Sequence, residues 1–353
     1  LYEVADRNDV NQEAMTGSLP AEETVADFVN GAHDRYLPVT EGTIPDYIPT
    51  LGRADPDTFG LSLTDAGGTT DSAGDTDVSF SIQSLSKPFV FALVCNAIGH
   101  GRVRRRVGVN NTGRPFNSVM ALELSAGSPG NPMVNAGAMA TTAMTPGETS
   151  AQQWELIREG LSRFAGRELH IDEEVYESET STNKRNQAIA RLLQSYGRIL
   201  DDPVPVVDIY TRQCSLSVTV EDLAVMGATL SNGGVNPLTG DQVVTKGVCR
   251  DTLAVLASCG MYERSGEWMF EIGMPAKSGV SGGIVAVSPG KCGVAAYSPP
   301  LDQSGTSVRG QRVCSYLSRA MALNLFASVA GEVDYADPDD EEERGVDMEA
   351  TVS

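Results

Sequence analysis

Phe80-Ser81-Ile82-Gln83-Ser84-Leu85-Ser86-Lys87-Pro88-Phe89 joins two kinds of pattern. Val78-Ser79-Phe80 alternates as a short strand does, and 89–98 is apolar enough for a buried helix. Pro88 suits the first turn of that helix, where its missing N–H costs nothing. With a helix starting near Ser84, Ser84 and Lys87 stand three residues apart on one face, while Ser86 points elsewhere. A lysine stripped of water is neutral and can accept a serine's proton, so the pair suits nucleophilic catalysis. Four residues alone carry little specificity, because an ordinary capping serine reads the same way.

The rest of the composition favours a lysine base. Three histidines, His33, His100 and His170, are scattered and none sits in a suggestive motif. A Ser-His-Asp triad or a histidine zinc site would have to draw on these. The six cysteines (Cys95, Cys214, Cys249, Cys259, Cys292, Cys314) form no C-x-x-C pair and no metal-finger spacing. Most are expected as buried free thiols, which suits a reducing cytoplasm. No metal and no organic cofactor is expected.

The 353 residues can bury a large core. The formal charge of −21 argues against nucleic acid or an anionic membrane as a partner. Arg outnumbers Lys by 21 to 5. Adaptation to high salt is the reading favoured for that bias, with a GC-rich genome the alternative. No apolar run reaches membrane-spanning length, and the opening Leu1-Tyr2-Glu3-Val4-Ala5-Asp6-Arg7 lacks the apolar core of a secretory leader. A cytoplasmic protein is expected.

Residues 1–20 read as a flexible lead-in. Helical spacing covers 22–36, and strands are predicted at 58–63 and 78–82 around an Ala66-Gly67-Gly68 turn. Helices then dominate, at 152–164, at 186–200, and from a capping-box-like Thr219 to Asn232-Gly233-Gly234. Strands return as Gly282 to Val287 and Cys292 to Tyr297 around Ser288-Pro289-Gly290-Lys291, before a last helix over 308–329. A discontinuous sheet-containing α/β domain is therefore expected from 21–90 and 245–330, with a helical domain over 91–244. Residues 331–353 hold ten acids and one Arg and read as a disordered tail or linker.

Lys277-Ser278-Gly279 opens a predicted edge strand. With Ser84-x-x-Lys87 it matches the paired motifs of penicillin-binding proteins and class A β-lactamases, whose intermediate Ser-Asp-Asn element has no clean copy here. The wider set fits another family. Gln83 to Pro88, Asn131-Pro132-Met133-Val134-Asn135-Ala136-Gly137-Ala138, Glu179 with Arg185 to Ala190, Tyr210 with Cys214-Ser215, Gly260-Met261-Tyr262 and Pro275 to Ile284 resemble the serine-dependent glutaminases. The resemblance runs from about residue 47 to 326. It implies an α+β, β-lactamase-like fold, with an antiparallel sheet flanked by helices beside a helical domain.

The resemblance also implies L-glutamine as substrate and hydrolysis of its side-chain amide through a serine acyl-enzyme. Ser84 would be the nucleophile, Lys87 its base and Tyr262 the proton shuttle to ammonia. The N–H groups of Ser84 and Val280 would hold the oxyanion. Tyr47, Asn135, Glu179, Asn186 and Tyr210 would grip the substrate, Glu179 at its α-ammonium and the asparagines at its carboxylate. Lys277 is left between anchoring its strand and touching substrate. A homo-oligomer, dimer or tetramer, is expected. A penicillin-recognising hydrolase and a non-catalytic amino-acid sensor are the rival readings, and a sensor has no need of a nucleophile–base pair.

Overall fold

Apolar residues alternate between two cores across one antiparallel sheet in the structure, a computed structural model described for residues 19–45, 48–114 and 118–327. Helix α1 (Glu22–Tyr36) leads to the hairpin β1 (Gly60–Asp65) and β2 (Thr70–Gly74), then the short strand β3 (Phe80–Ser81). Helices α2 (Ser86–Ile98), α3 (His100–Val107), α4 (Val119–Leu124), α5 (Asn135–Thr142) and α6 (Ser150–Ala165) follow. Next come α7 (Glu173–Thr182), α8 (Lys184–Ser195), α9 (Pro203–Cys214) and strand β4 (Ser217–Val218). Helices α10 (Val220–Ser231), α11 (Lys246–Cys259) and α12 (Ser265–Glu271) precede β5 (Ala276–Ser278), β6 (Gly283–Ser288), β7 (Cys292–Tyr297) and helix α13 (Val308–Ala320).

The main sheet has the order β2-β1-β7-β6-β5, with every neighbouring pair antiparallel. Ile284, Ala286, Val294 and Ala296 face a core shared with α1 and α13, through Val25, Val29, Val313 and Leu317. Val285, Val287, Ala295 and Tyr297 face the opposite core, with α2, α6, α10 and α11. A strand buried on both faces reads as a continuous apolar run, as β6 does. Helix α10 lies backbone to backbone on β7: a Cβ at Gly293 would stand 2.3 Å from the Ala228 amide nitrogen. Thr219 and Asp222 close a capping box at its start, a device that contributes about 1 kcal/mol.

The antiparallel α+β architecture agrees with the expected fold class, while several elements differ from expectation. In the main sheet β1 pairs with β2 and β7, not with the 78–82 segment. Within 78–82 only Phe80–Ser81 is a strand, and it pairs with β4 in a separate two-stranded sheet. That small sheet serves the site: Ile82 N–H donates to Leu216 O at 2.8 Å, and the Phe80 ring stacks on Tyr297 at 3.9 Å. The last helix stops at Ala320 rather than running to 329, because Ala322 turns into the left-handed region at φ +49°. The 186–200 helix starts two residues earlier and ends at Ser195. The acidic tail and most of the lead-in lie outside the described residues.

Candidate active site

Ser84 sits in a short 3₁₀ turn, Gln83–Leu85, and α2 begins only at Ser86. Gln83 has φ +51°, a conformation that costs a non-glycine residue about 1–3 kcal/mol. Neighbours enforce the turn. Leu85 N–H donates to Ile82 O at 3.1 Å, and Ser86 Oγ donates to Gln83 O at 2.8 Å. Ser86 is thereby committed to structure, and Gln213 Nε2 reaches it at 3.4 Å. Pro88 occupies the first turn of α2 as expected.

Two glycines bring the β5–β6 connection onto this turn. A Cβ at Gly279 would lie 3.0 Å from Leu85 Cγ, and one at Gly283 would lie 2.6 Å from Leu85 Cδ1. Val280 follows Gly279 and is buried against Ile48, Leu51 and Leu301. Among the described residues, neither the Ser84 nor the Val280 N–H has an acceptor.

Lys87 is fully buried one turn after Ser84. Its Nζ donates to Asn135 Oδ1 at 2.7 Å and to Met133 O at 3.3 Å. Burial lowers its pKa to about 8, against the raising influence of Cys214 and Glu179. It is therefore partly neutral near neutral pH, as a base must be.

Asn135 opens α5 and links the polar groups. Tyr210 O–H donates to its Oδ1 at 3.3 Å, and its Nδ2 donates to Asn186 Oδ1 at 3.2 Å. Close packing seats α5, since a Cβ at Gly137 would lie 1.8 Å from Asn131 O. Asn131 is structural: its side chain bonds Asn110 O and the Met133 N–H. Glu179, buried near the end of α7, accepts from Gln83 Nε2. Burial raises its pKa to about 7, opposed by the Gln83 hydrogen bond and the Lys87 charge.

Tyr262 comes from the turn after α11, at φ +55°. Its hydroxyl donates to Ser278 O at 3.2 Å. Burial pushes it up to about 12, while hydrogen bonds with Ser278 and Ser84 pull the other way. Lys277 on β5 is fully buried and donates from Nζ to Ser278 O at 2.8 Å.

The structure thus gathers Ser84, Lys87, Asn135, Asn186, Tyr210, Glu179 and Tyr262 through a connected set of hydrogen bonds and charge interactions. Tyr47 lies outside the described residues. Gln83, which ties the Ser84 turn to Glu179, was not singled out from sequence; its place beside Ser84 was the available signal. The histidines lie elsewhere. His33 stacks on Phe59, His100 pairs with Asp251 at 2.9 Å, and His170 is exposed. Among the described residues no group of three His, Cys, Asp or Glu is placed to hold a metal, and no helix is long and apolar enough to cross a membrane.

Comparison with known proteins identifies the family. A family model described as "Glutaminase" matches residues 42–326. "Glutaminase 2" of Yersinia pestis is 51% identical over 321 residues, covering 91% of this chain and 94% of that protein. The solved structure of "Probable glutaminase ybaS" superposes with a TM-score of 0.86 at 40% identity, covering 87% of this chain and 99% of that one. A "Probable glutaminase from Bacillus subtilis complexed with 6-diazo-5-oxo-L-norleucine" gives a TM-score of 0.77 at 32% identity, covering 85% and 96%.

Proposed function

The chain belongs to the glutaminase family and is a glutamine amidohydrolase; on that premise we propose that it hydrolyses L-glutamine to L-glutamate and ammonia through an acyl-enzyme on Ser84. The observation that carries this reading is a buried serine interacting with buried Tyr262, with a buried lysine of lowered pKa one turn further on.

Neutral Lys87 takes the Ser84 proton as Oγ adds to the side-chain amide carbon. Asn135 Oδ1 and Met133 O hold the Lys87 amine in place. Negative charge developing on the amide oxygen is met by the N–H groups of Ser84 and Val280, which have no acceptor among the described residues. Tyr262 supplies a proton to the nitrogen as the C–N bond breaks, so that ammonia leaves rather than amide ion. Water then adds to the acyl carbon, its proton passing to the same base, and glutamate is released.

Recognition follows from the ring of polar groups around Lys87. Glu179, ionised, meets the substrate's α-ammonium; Asn135, Asn186 and Tyr210 meet the α-carboxylate and fix its distance from Ser84. Tyr47 completes this set by family resemblance. A substrate that fills both charged subsites satisfies groups that are otherwise costly to bury, which gives discrimination against amides lacking them.

The test is ammonia release from L-glutamine by wild type, Ser84→Ala and Ser86→Ala, with mass spectrometry of the quenched enzyme. Ser84→Ala is expected to lose turnover by about 10⁴-fold or more with the fold intact. Ser86→Ala, which removes the turn-closing hydrogen bond to Gln83 O and the long one from Gln213 Nε2, retains most of it. Turnover by Ser84→Ala near the wild-type rate would sink the assignment.

A further inference from the structure

Lys277 has no part in the steps just described, yet it is fully buried on β5 beside the reacting groups. It pairs with Val285 of β6 in the sheet. The charge acting on it is that of another cation, Lys87, and together with burial this holds its amine well below the usual lysine range. It is therefore poorly suited to serve as a standing cation for a substrate carboxylate, and its contacts point to a different use.

Its Nζ lies 4.2 Å from the centroid of the Tyr262 ring. The same nitrogen donates to Ser278 O at 2.8 Å, and the Tyr262 hydroxyl donates to that same carbonyl at 3.2 Å. A carbonyl has two lone pairs and can serve both donors. The Tyr262 turn is pressed against β5 by its own construction. A Cβ at Gly260 would lie 1.8 Å from Ala276 O, and Ser265 Oγ both accepts from Met261 N–H at 3.0 Å and donates to Tyr262 O at 2.8 Å. The backbone of Tyr262 is held by these contacts, and Lys277 contacts its ring.

We propose that Lys277 is a positioning residue for Tyr262: by covering one face of the ring and sharing the Ser278 carbonyl with the hydroxyl, it fixes the direction in which that O–H donates. This rests on Tyr262 acting as proton donor to the departing nitrogen. In that step the C–N bond of the tetrahedral adduct breaks and the nitrogen takes the Tyr262 proton. The proton that Lys87 removed from Ser84 then restores the phenol, so charge and protons balance. A general acid depends on alignment as well as acidity, and a ring free to tilt loses rate without losing substrate affinity.

The leaving group separates this role from a structural one. The γ-thiomethyl ester of L-glutamate presents the same acyl group to Ser84, but its thiolate departs without needing a proton. Lys277→Met keeps the side chain's length and removes the amine. It is expected to lower kcat on L-glutamine by about 10- to 100-fold, with KM within about threefold and thioester kcat within about twofold of wild type. Undiminished thioester turnover also shows that the variant is folded. Tyr262→Phe is the benchmark and should show the same split between substrates. A split for Tyr262→Phe without one for Lys277→Met overturns this proposal alone, as does equal loss by Lys277→Met on both substrates. No split for Tyr262→Phe overturns the proton-donor reading and this proposal with it, and active Ser84→Ala overturns the acyl-enzyme.

Discussion

Glu179 is held in the fold at a cost. Burial raises its pKa from 4.5 to about 7, so the folded chain binds an extra proton between those values. The stability this confers is present below pH 4.5 and lost as pH rises through 7. Glu179→Gln keeps an acceptor for Gln83 Nε2 and removes the ionisation. It is therefore expected to raise the thermal midpoint at pH 9 by about 2–5 °C, with a smaller gain at pH 5, while abolishing glutamine turnover. Calorimetry at the two pH values checks this, and an equal shift at both contradicts it. Lys87 runs the opposite way, from 10.5 down to about 8, and in the proposed mechanism it must be neutral to act. The acid limb of kcat/KM is therefore expected to rise through about pH 8; a limb near pH 6.5, where a histidine titrates, would point to another base. Ser84 and Lys87 were legible because spacing and the scarcity of histidine are properties of the sequence. Glu179, Asn186 and Tyr210 stood out only by resemblance, since their meeting depends on how α7, α8 and α9 pack. Gln83 was missed because its role lies in a backbone φ of +51° and in a partner 96 residues away.

Element by element, legibility followed burial. Strand β6 is buried along its length and apolar up to Ser288, and was readable, whereas β2 is Thr70-Asp71-Ser72-Ala73-Gly74 and has only Ala73 buried. Its place at the sheet edge comes from pairing with β1 and from cross-strand hydroxyl bonds, Ser72 to Ser62 at 3.0 Å and Thr64 with Thr70 at 2.9 Å. No periodicity reports those contacts. The seat of α10 on β7 was equally silent in sequence, because it depends on what is missing at Gly293. Gly293→Ala would drive a methyl to 2.3 Å from Ala228 N and 2.4 Å from Ala224 O, both backbone atoms that cannot swing away. Helix and strand must part, and a loss of about 3 kcal/mol or more is expected by denaturant titration. Gly247→Ala, in α11 with nothing within 4 Å of the new methyl, is expected to gain about 0.5–1 kcal/mol. Similar effects from the two substitutions would show that close approach at Gly293 does not seat α10.

Across the whole molecule the two kinds of basic residue divide their work. Lys87 and Lys277 are buried beside Ser84, while Arg supplies the Lys or Arg partner in the described ion pairs with carboxylates, among them Arg167–Asp222, Arg212–Asp208 and Arg264–Glu267. Asp222 is buried, but pairs such as Arg212–Asp208 and Arg264–Glu267 reach solvent and contribute little individually, about 0–1 kcal/mol each, and the pairs leave much acid uncompensated. Even without the acidic segment 331–353, residues 1–330 carry 37 Asp and Glu against 25 Lys and Arg. Self-repulsion of that size opposes the compact state at low salt. Raising NaCl from 0.1 to 1 M shortens the screening length from about 10 to about 3 Å. Repulsion spread over the surface is then screened more completely than bidentate arginine pairs in contact. The thermal midpoint is therefore expected to rise with NaCl, and by the same amount with KCl, because screening depends on ionic strength and not on the cation. A midpoint that falls with salt would mean that the arginine pairs outweigh the repulsion. A rise with one salt alone would replace screening with a bound ion.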